Sequence, residues 1–183
     1  MNSNWFKLIM RFQKIQYGKN LKLKGMPVIF NKKGAVLSIG KDCTIKSTLL
    51  SNLVGLYSRT IIVTRTHDAE IHIGNNVGIS GAVIYARKSI SIGDMTNIGG
   101  NTKILDNDFH PLDAEARIKD DKSKIVSRPV VIGKNCFIGC NSLILKGTTL
   151  GDNCVVGAGA VVCGQFEENS VIAGNPAKVI RRL

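Results

Sequence analysis

Residues 132–163 read IGKNCFIGCNSLILKGTTLGDNCVVGAGAVVC, and a branched aliphatic returns at every sixth position: Ile132, Ile138, Ile144, Leu150, Val156 and Val162. Six is a multiple of the strand period of two, so each aliphatic can point to the same side of an extended segment. A simple strand does not explain what accompanies it. Glycine follows the aliphatic at 133, 139, 151 and 157, and a small residue stands four places after it at Cys136, Ser142, Thr148, Cys154 and Ala160. Asn, Asp and Gly also recur once per six, as in Lys134-Asn135 and Asp152-Asn153, and such residues tolerate turn dihedrals. Short strand, bend, short strand, bend describes a chain coiling around an axis. Three segments of six close a triangle, so the spacing predicts Ile132 under Leu150, Ile138 under Val156, Ile144 under Val162 and Cys136 under Cys154, each pair about 4.8 Å apart. Hexapeptide repeats of this kind mark β-helix solenoids.

The same period extends upstream through Ile39-Gly40, Ile45, Ile73-Gly74, Ile79, Ile92-Gly93, Ile98-Gly99 and Ile104, with one extra residue between 79 and 92. Between 46 and 70 it blurs, which predicts irregular coils. The resulting division is an N-terminal basic segment over 1–29, a parallel β-helix over 30–175 and a basic tail over 176–183. In the N-terminal segment Trp5, Leu8, Ile9, Phe12 and Ile15 recur at helical spacing opposite Lys7, Arg11 and Lys14, an amphipathic helix of about three turns. Packing on the first coil would hide the open sheet end. The sharper expectation is peripheral contact of residues 1–16 with a membrane surface.

Composition agrees with a narrow core: 44% of the residues are apolar but only 5% aromatic. No run of eighteen apolar residues could span a bilayer. The first twenty residues mix lysine and arginine among the apolar positions, unlike a secretory leader, so the expected location is cytoplasmic, with a possible peripheral place at the inner membrane face. Five cysteines, an odd number without CxxC, suggest neither a disulfide framework nor a zinc site. The net charge is +12, and residues 1–46 hold ten Lys or Arg against the single acid Asp42. That asymmetry suits either an anionic surface as partner or a solvated basic face. Nucleic-acid binding has little aromatic support and no motif.

Between Ile104 and Ile132 the period vanishes into a polar excursion over 106–129, DNDFHPLDAEARIKDDKSKIVSRP. Long loops on rigid scaffolds commonly carry function. His110 stands near its start, and Pro111 favours an extended conformation there. Neutral imidazole is suited to deprotonating a hydroxyl or amine near pH 7. Asp106, Asp108 and Asp113 flank it, and any of them could orient the ring. No nucleophile elbow is present, which favours direct transfer over a covalent enzyme intermediate. His72 lies between inward Ile71 and Ile73 and so points outward, a surface residue like His67.

From about residue 92 to 183 the chain resembles the maltose, galactoside and capsular-sugar O-acetyltransferases of the hexapeptide-repeat family. HPLDAEAR resembles their HP-x(n)-R loop, VVIGKNCFIGCNSLILKGTTLGDNCVVGAGAVV their terminal coils, and AGNPAKVIRRL their ending. The resemblance implies a left-handed parallel β-helix, although parallel crossovers are right-handed in about 98% of cases. It also implies a homotrimer with sites between subunits, in which acetyl-CoA lies in a groove along the coils. His110 becomes the general base, with Asn101, Asp106 and Arg117 on the acceptor side. Phe137, Gly139 and Cys140 would run along the pantetheine, Gly157 and Ala158 opposite it, and Lys178 and Arg181 near the nucleotide phosphates. Two departures stand out: Phe137 replaces a common tryptophan, and Cys163-Gly164 a Thr-Lys pair. The expected activity is acetyl-CoA-dependent O-acetylation of a sugar or surface-polysaccharide precursor. One alternative is N-acetylation of an aminosugar or antibiotic. The other is a non-catalytic or zinc-dependent β-helix, for which His67, His72 and His110 lack the spacing.

Overall fold

The computed structural model describes residues 3–183, without the side chains of 3–5 and 7. Within it the predicted stacking holds residue by residue: Ile132 pairs with Leu150, Ile138 with Val156 and Ile144 with Val162, all in parallel strands. Each strand is short because a bend follows within a few residues, and three parallel sheets result. Sheet 1 stacks Gln16–Tyr17, Val36–Ile39, Glu70–Ile73, Ser89–Ile92, Val130–Ile132, Thr149–Leu150 and Gln165–Phe166. Sheet 2 stacks Lys22–Lys24, Thr44–Lys46, Gly78–Ser80, Asn97–Ile98, Phe137–Ile138, Val155–Val156 and Ser170–Gly174, and an antiparallel strand, Ala177–Arg182, closes it. Sheet 3 stacks Val28–Asn31, Ile61–Thr64, Val83–Ala86, Lys103–Leu105, Leu143–Ile144 and Val161–Val162.

The interior is a column of isoleucine, valine and leucine, with Ile45, Ile62, Ile71, Ile84, Ile104, Ile138 and Ile144 all buried. Small buried residues at the corners, Thr96, Thr102, Ser142 and Thr148, turn their hydroxyls back onto backbone carbonyls: Ser142 donates to Gly139 O and Thr148 to Leu145 O. The buried hydroxyls are thereby satisfied without side chains large enough to swell the narrow core. The corner between sheets 1 and 2 puts one residue per turn in the left-handed region: Asn20, Asp42, Asn76, Met95, Asn135, Asn153 and Asn169. Short amide side chains adopt that region more readily than others, which explains the recurring asparagine. They also form a ladder, Asn135 donating to Asn153 and Asn153 to Asn169.

Three boundaries differ from the sequence reading. The solenoid starts at Gln16, not near residue 30. Its first coil does carry glycine at the bends, Gly18 and Gly25, and Tyr17, Leu23 and Ile29 pair with Ile39, Ile45 and Ile62, but a tyrosine in the aliphatic place and Leu21 in the small-residue place mask the hexad. The stretch expected to be irregular contains a regular strand, Ile61–Thr64, in register between Val28–Asn31 and Val83–Ala86. Only 47–60 leaves the coil. The residues expected as a basic tail instead form the strand Ala177–Arg182.

Helix α1 (Ser3–Phe12) plugs the open end, but with a different face from the one expected. Phe6 and Met10, one helical turn apart, join Ile15 in the core, whereas Leu8 is exposed and Phe12 is 80% exposed. The tertiary contact selects the Phe6–Met10 stripe because it is the one that can reach the coil interior. Trp5, expected on the apolar face, and Lys7 opposite it have side chains outside the described residues. Among the described residues no helix is long and apolar enough to cross a membrane.

Candidate active site

The 106–129 excursion springs from the edge between sheets 3 and 1 and is anchored by Asp106, which is fully buried. Its carboxylate accepts hydrogen bonds from the Arg87 and Lys88 amides at 2.8 and 2.6 Å and from the Asn107 side chain at 3.0 Å. Burial pushes this carboxyl above its usual range, against the opposing pull of those donors. Its main-chain oxygen accepts from Arg128 N, tying the outgoing and returning strands of the loop together. Asn107 carries the turn onward by accepting from Phe109 N at 2.9 Å. Phe109 sits at φ +63°, a conformation unusual for an aromatic residue, and its ring packs 4.8 Å from Tyr85 on the outer side of sheet 3.

His110 follows directly, exposed, with its amide donating to Asp108 O at 2.7 Å and buried Pro111 after it. Its direction is therefore set from both sides. The guanidinium of Arg117, on helix α2 (Ala114–Ile118), donates to the Pro111 and Leu112 carbonyls at 3.0 and 2.9 Å. Of the three carboxylates near His110, Asp106 holds backbone amides and Asp113 caps α2 through Ala116 N. Asp108 pairs with Lys146 through one oxygen, and its other oxygen is buried without a partner. It is the one acid of the three with a buried oxygen left unpaired among the described residues.

The residues expected around the cofactor gather elsewhere, on sheet 2 and its edge with sheet 3. Phe137, Val155 and Val171 stack in register on the outer face, and the antiparallel strand adds Arg181 opposite Val171 and Lys178 opposite Ala173. Phe137 and Arg181 are thus three strand steps apart, about 14 Å. Along the edge, Gly139 packs so tightly on the next coil that a Cβ would lie 2.5 Å from Ala158 N. The amides of Cys140 and Ala158 have no acceptor among the described residues, while Gly139, Asn141, Gly157 and Gly159 donate to neighbouring turns. An aromatic surface, two unused corner amides and two cations in line fit an extended ligand that has amide carbonyls at one end and phosphates at the other.

Asn101 lies on the same edge but is nearly buried, in the left-handed corner position. Its side chain accepts from Tyr57 N at 3.2 Å and donates to Gly55 O at 2.9 Å, so it pins the 47–60 excursion. That excursion runs down the edge until the Tyr57 hydroxyl donates to Asn141 Oδ1 at 3.0 Å. Asp106 and Arg117, expected on the acceptor side, both hold the histidine loop: Asp106 is fully buried, and Arg117, itself exposed, bonds carbonyls of its own loop through one guanidinium nitrogen. Within one chain His110 and the cofactor residues occupy opposite edges of sheet 3, separated by about 13 Å of strand. Sequence reasoning missed the contribution of 47–60. The loss of period there was its only signal.

A solenoid with an extruded histidine loop and a ligand-ready edge defines an acyltransferase class, and the comparisons agree. Residues 129–163 match a family model described as the hexapeptide repeat of succinyl-transferase. YJL218W of Saccharomyces cerevisiae, which carries an acetyltransferase name, is 34% identical over 75% of this chain and 71% of its own length. WbbJ of Escherichia coli, named for O-acetyl transfer in lipopolysaccharide biosynthesis, is 37% identical over 61% of this chain. The galactoside O-acetyltransferase of the same organism is 35% identical over 64% of this chain. The alignments span 60% and 57% of those two relatives. Solved structures of a galactoside acetyltransferase with coenzyme A (TM-score 0.63, 23% identity, 100% of this chain and 73% of that one) and of AntD from Bacillus cereus, an N-acyltransferase (0.73, 20%, 100% and 88%), share the fold. The chain belongs to the hexapeptide-repeat acetyltransferases, and its solenoid is a left-handed parallel β-helix.

Proposed function

We propose that this protein transfers the acetyl group of acetyl-CoA to a hydroxyl of a sugar or surface-polysaccharide precursor, without a covalent enzyme intermediate. The observation that carries the reading is the pairing of an exposed histidine on a braced loop with a linear edge of aromatic, open amide and basic residues. His110 takes the acceptor proton as the hydroxyl oxygen attacks the thioester carbonyl. A C–O bond forms, the C–S bond breaks, and the proton passes from His110 to the departing thiolate. The Cys140 or Ala158 amide stabilises the oxyanion between these steps. Phe137, Gly139, Gly157, Lys178 and Arg181 hold the coenzyme. Because one chain separates the histidine from that edge, the site forms between copies, and a homotrimer of these prisms presents the loop of one subunit to the edge of the next. Relatives named for lipopolysaccharide and galactoside O-acetylation support a hydroxyl acceptor.

The test is release of free thiol from acetyl-CoA over a panel of glycosides and aminosugars. Turnover with hydroxyl acceptors is the expected result; turnover confined to amines would make this an N-acetyltransferase, and none with either would overturn the reading. The outward Leu8 and Phe12 of α1, with Arg11 between them, further suit shallow seating of residues 1–16 on an anionic bilayer. Co-sedimentation with phosphatidylglycerol vesicles should fall at least five-fold in Leu8→Ser/Phe12→Ser, and unchanged binding would refute that contact.

A further inference from the structure

The strands Gln16–Tyr17, Lys22–Lys24 and Val28–Asn31 end the three sheets and form the rim of the solenoid's base. At every corner of this first coil a lysine directly precedes the left-handed residue: Lys19 before Asn20, Lys24 before Gly25 and Lys33 before Gly34. Lys32 doubles the charge at the third corner. These lysines are exposed, as are Arg11 and Lys14 at the end of α1, and among the described residues none of them pairs with an acid. Gln13 fixes α1 over the base, its side chain accepting from Asn31 N at 3.1 Å and its carbonyl from the Asn31 side chain at 3.0 Å. At about 3.6 residues per turn, positions two apart lie about 200° apart around a helix. Leu8 and Phe12 are therefore opposite the buried Phe6 and Met10 and point away from the coil. Charge is graded along the axis: residues 1–41 contain nine Lys or Arg and no acid, Asp42 stands alone on the second coil, and the other acids all follow residue 67.

We infer that the whole base of the solenoid docks on an anionic bilayer and that the solenoid stands upright on it. The inference rests on the seating proposed for residues 1–16 and goes beyond it. The helix supplies an apolar wedge, and the three corners of the first coil supply a ring of cations at headgroup level. Neither element is sufficient alone, because a small apolar insertion binds a membrane reversibly and stable anchoring takes a second signal such as a basic patch. Each lysine near an anionic leaflet adds to the attraction. A ring opposes tilting where a stripe would not, since lifting any corner gives up its contact. The graded charge turns the base toward a negative surface before contact is made. Leu8 and Phe12 decide the kind of partner: a bilayer takes both the cations and the apolar stripe, whereas a nucleic acid would leave the stripe in water. In a homotrimer of side-by-side prisms three such bases face the same way, so modest contacts combine into avidity. Upright docking holds the Phe137 rung four strand spacings, about 19 Å, above the rim and clear of the headgroups.

The test uses the full chain with vesicles of phosphatidylcholine, pure or mixed with phosphatidylglycerol, and with poly(U). Flotation with the mixed vesicles should fall more than ten-fold in Lys19→Gln/Lys24→Gln/Lys32→Gln/Lys33→Gln, whose folding circular dichroism checks. Pure phosphatidylcholine should bind at least ten-fold more weakly than the mixture. Orientation is read on the wild-type chain by an amine-reactive footprint: on mixed vesicles Lys19, Lys24, Lys32 and Lys33 should lose reactivity at least five-fold, while Lys88 and Lys134, exposed on later coils, keep theirs. Full binding by the four-lysine variant, with Leu8→Ser/Phe12→Ser still weakened, would mean that the helix docks alone and would overturn the proposal. Equal protection of Lys88 and Lys134 would lay the solenoid on its side and overturn it too. Binding to poly(U) without binding to vesicles would assign the base to nucleic acid. Absence of vesicle binding by the wild-type chain would remove both this surface and the contact of residues 1–16.

Discussion

His110→Ala is expected to lower kcat for acetyl transfer by 10²–10⁴, the usual contribution of a positioned general base. On the barrier scale that is about 3–5 kcal/mol. The side chain is exposed and makes no hydrogen bond that the fold needs, since the loop is held through backbone groups and through Asp106, Asn107 and Arg117. Melting temperature and circular dichroism should therefore be unchanged, and the KM for acetyl-CoA should stay within a few-fold because the coenzyme residues lie on another edge. A loss smaller than ten-fold in a well-folded variant would remove the histidine from the proton-transfer step. His110→Gln, which keeps polarity and approximate size without the basicity, should be as inactive as alanine.

Asp106→Ala is expected to cost about 3 kcal/mol or more in stability. The Arg87 and Lys88 amides would be left buried without acceptors, each at about 1–3 kcal/mol, and Asn107 would lose a partner. For a chain of this size that lowers the melting temperature by roughly 10 °C. Activity should fall as well, because the loop root opens next to Phe109 and His110. The two effects separate on cooling: wild-type kcat regained at low temperature would mean that Asp106 serves stability alone. An unshifted melting temperature would contradict the buried network. Asp106→Asn should lie between, since one oxygen can still accept while the new NH₂ faces amide donors.

The sequence made the middle and end of the solenoid legible because one hexad dictates both the inward aliphatic and the corner residue. Ile132, Ile138 and Ile144 fall where the spacing puts them. It failed at the first coil because Tyr17 stands where later coils have isoleucine and Leu21 where they have a small residue, so the six-residue spacing of Tyr17, Leu23 and Ile29 goes unannounced. Helix α1 was legible as a helix, but which of its apolar stripes is buried depends on the coil it meets, and that contact is tertiary. The same holds at the site. His110 stands out in a polar loop before a proline, whereas the work of Asp106, Asn101 and Arg117 depends on where strands distant in sequence end. The strand Ala177–Arg182, hidden as a basic tail, became visible only when sheet 2 offered it an edge.

Both excursions replace a single corner of the coil: 106–129 departs after Leu105 on sheet 3 and returns at Val130 on sheet 1, while 47–60 departs after Lys46 on sheet 2 and returns at Ile61 on sheet 3. Neither excursion carries the axial load of the prism. Such loops can be lengthened or shortened while each aliphatic stays above its partner. Frame and ornament are thus separable in this molecule: the loops can be rebuilt without redesigning the scaffold that carries them.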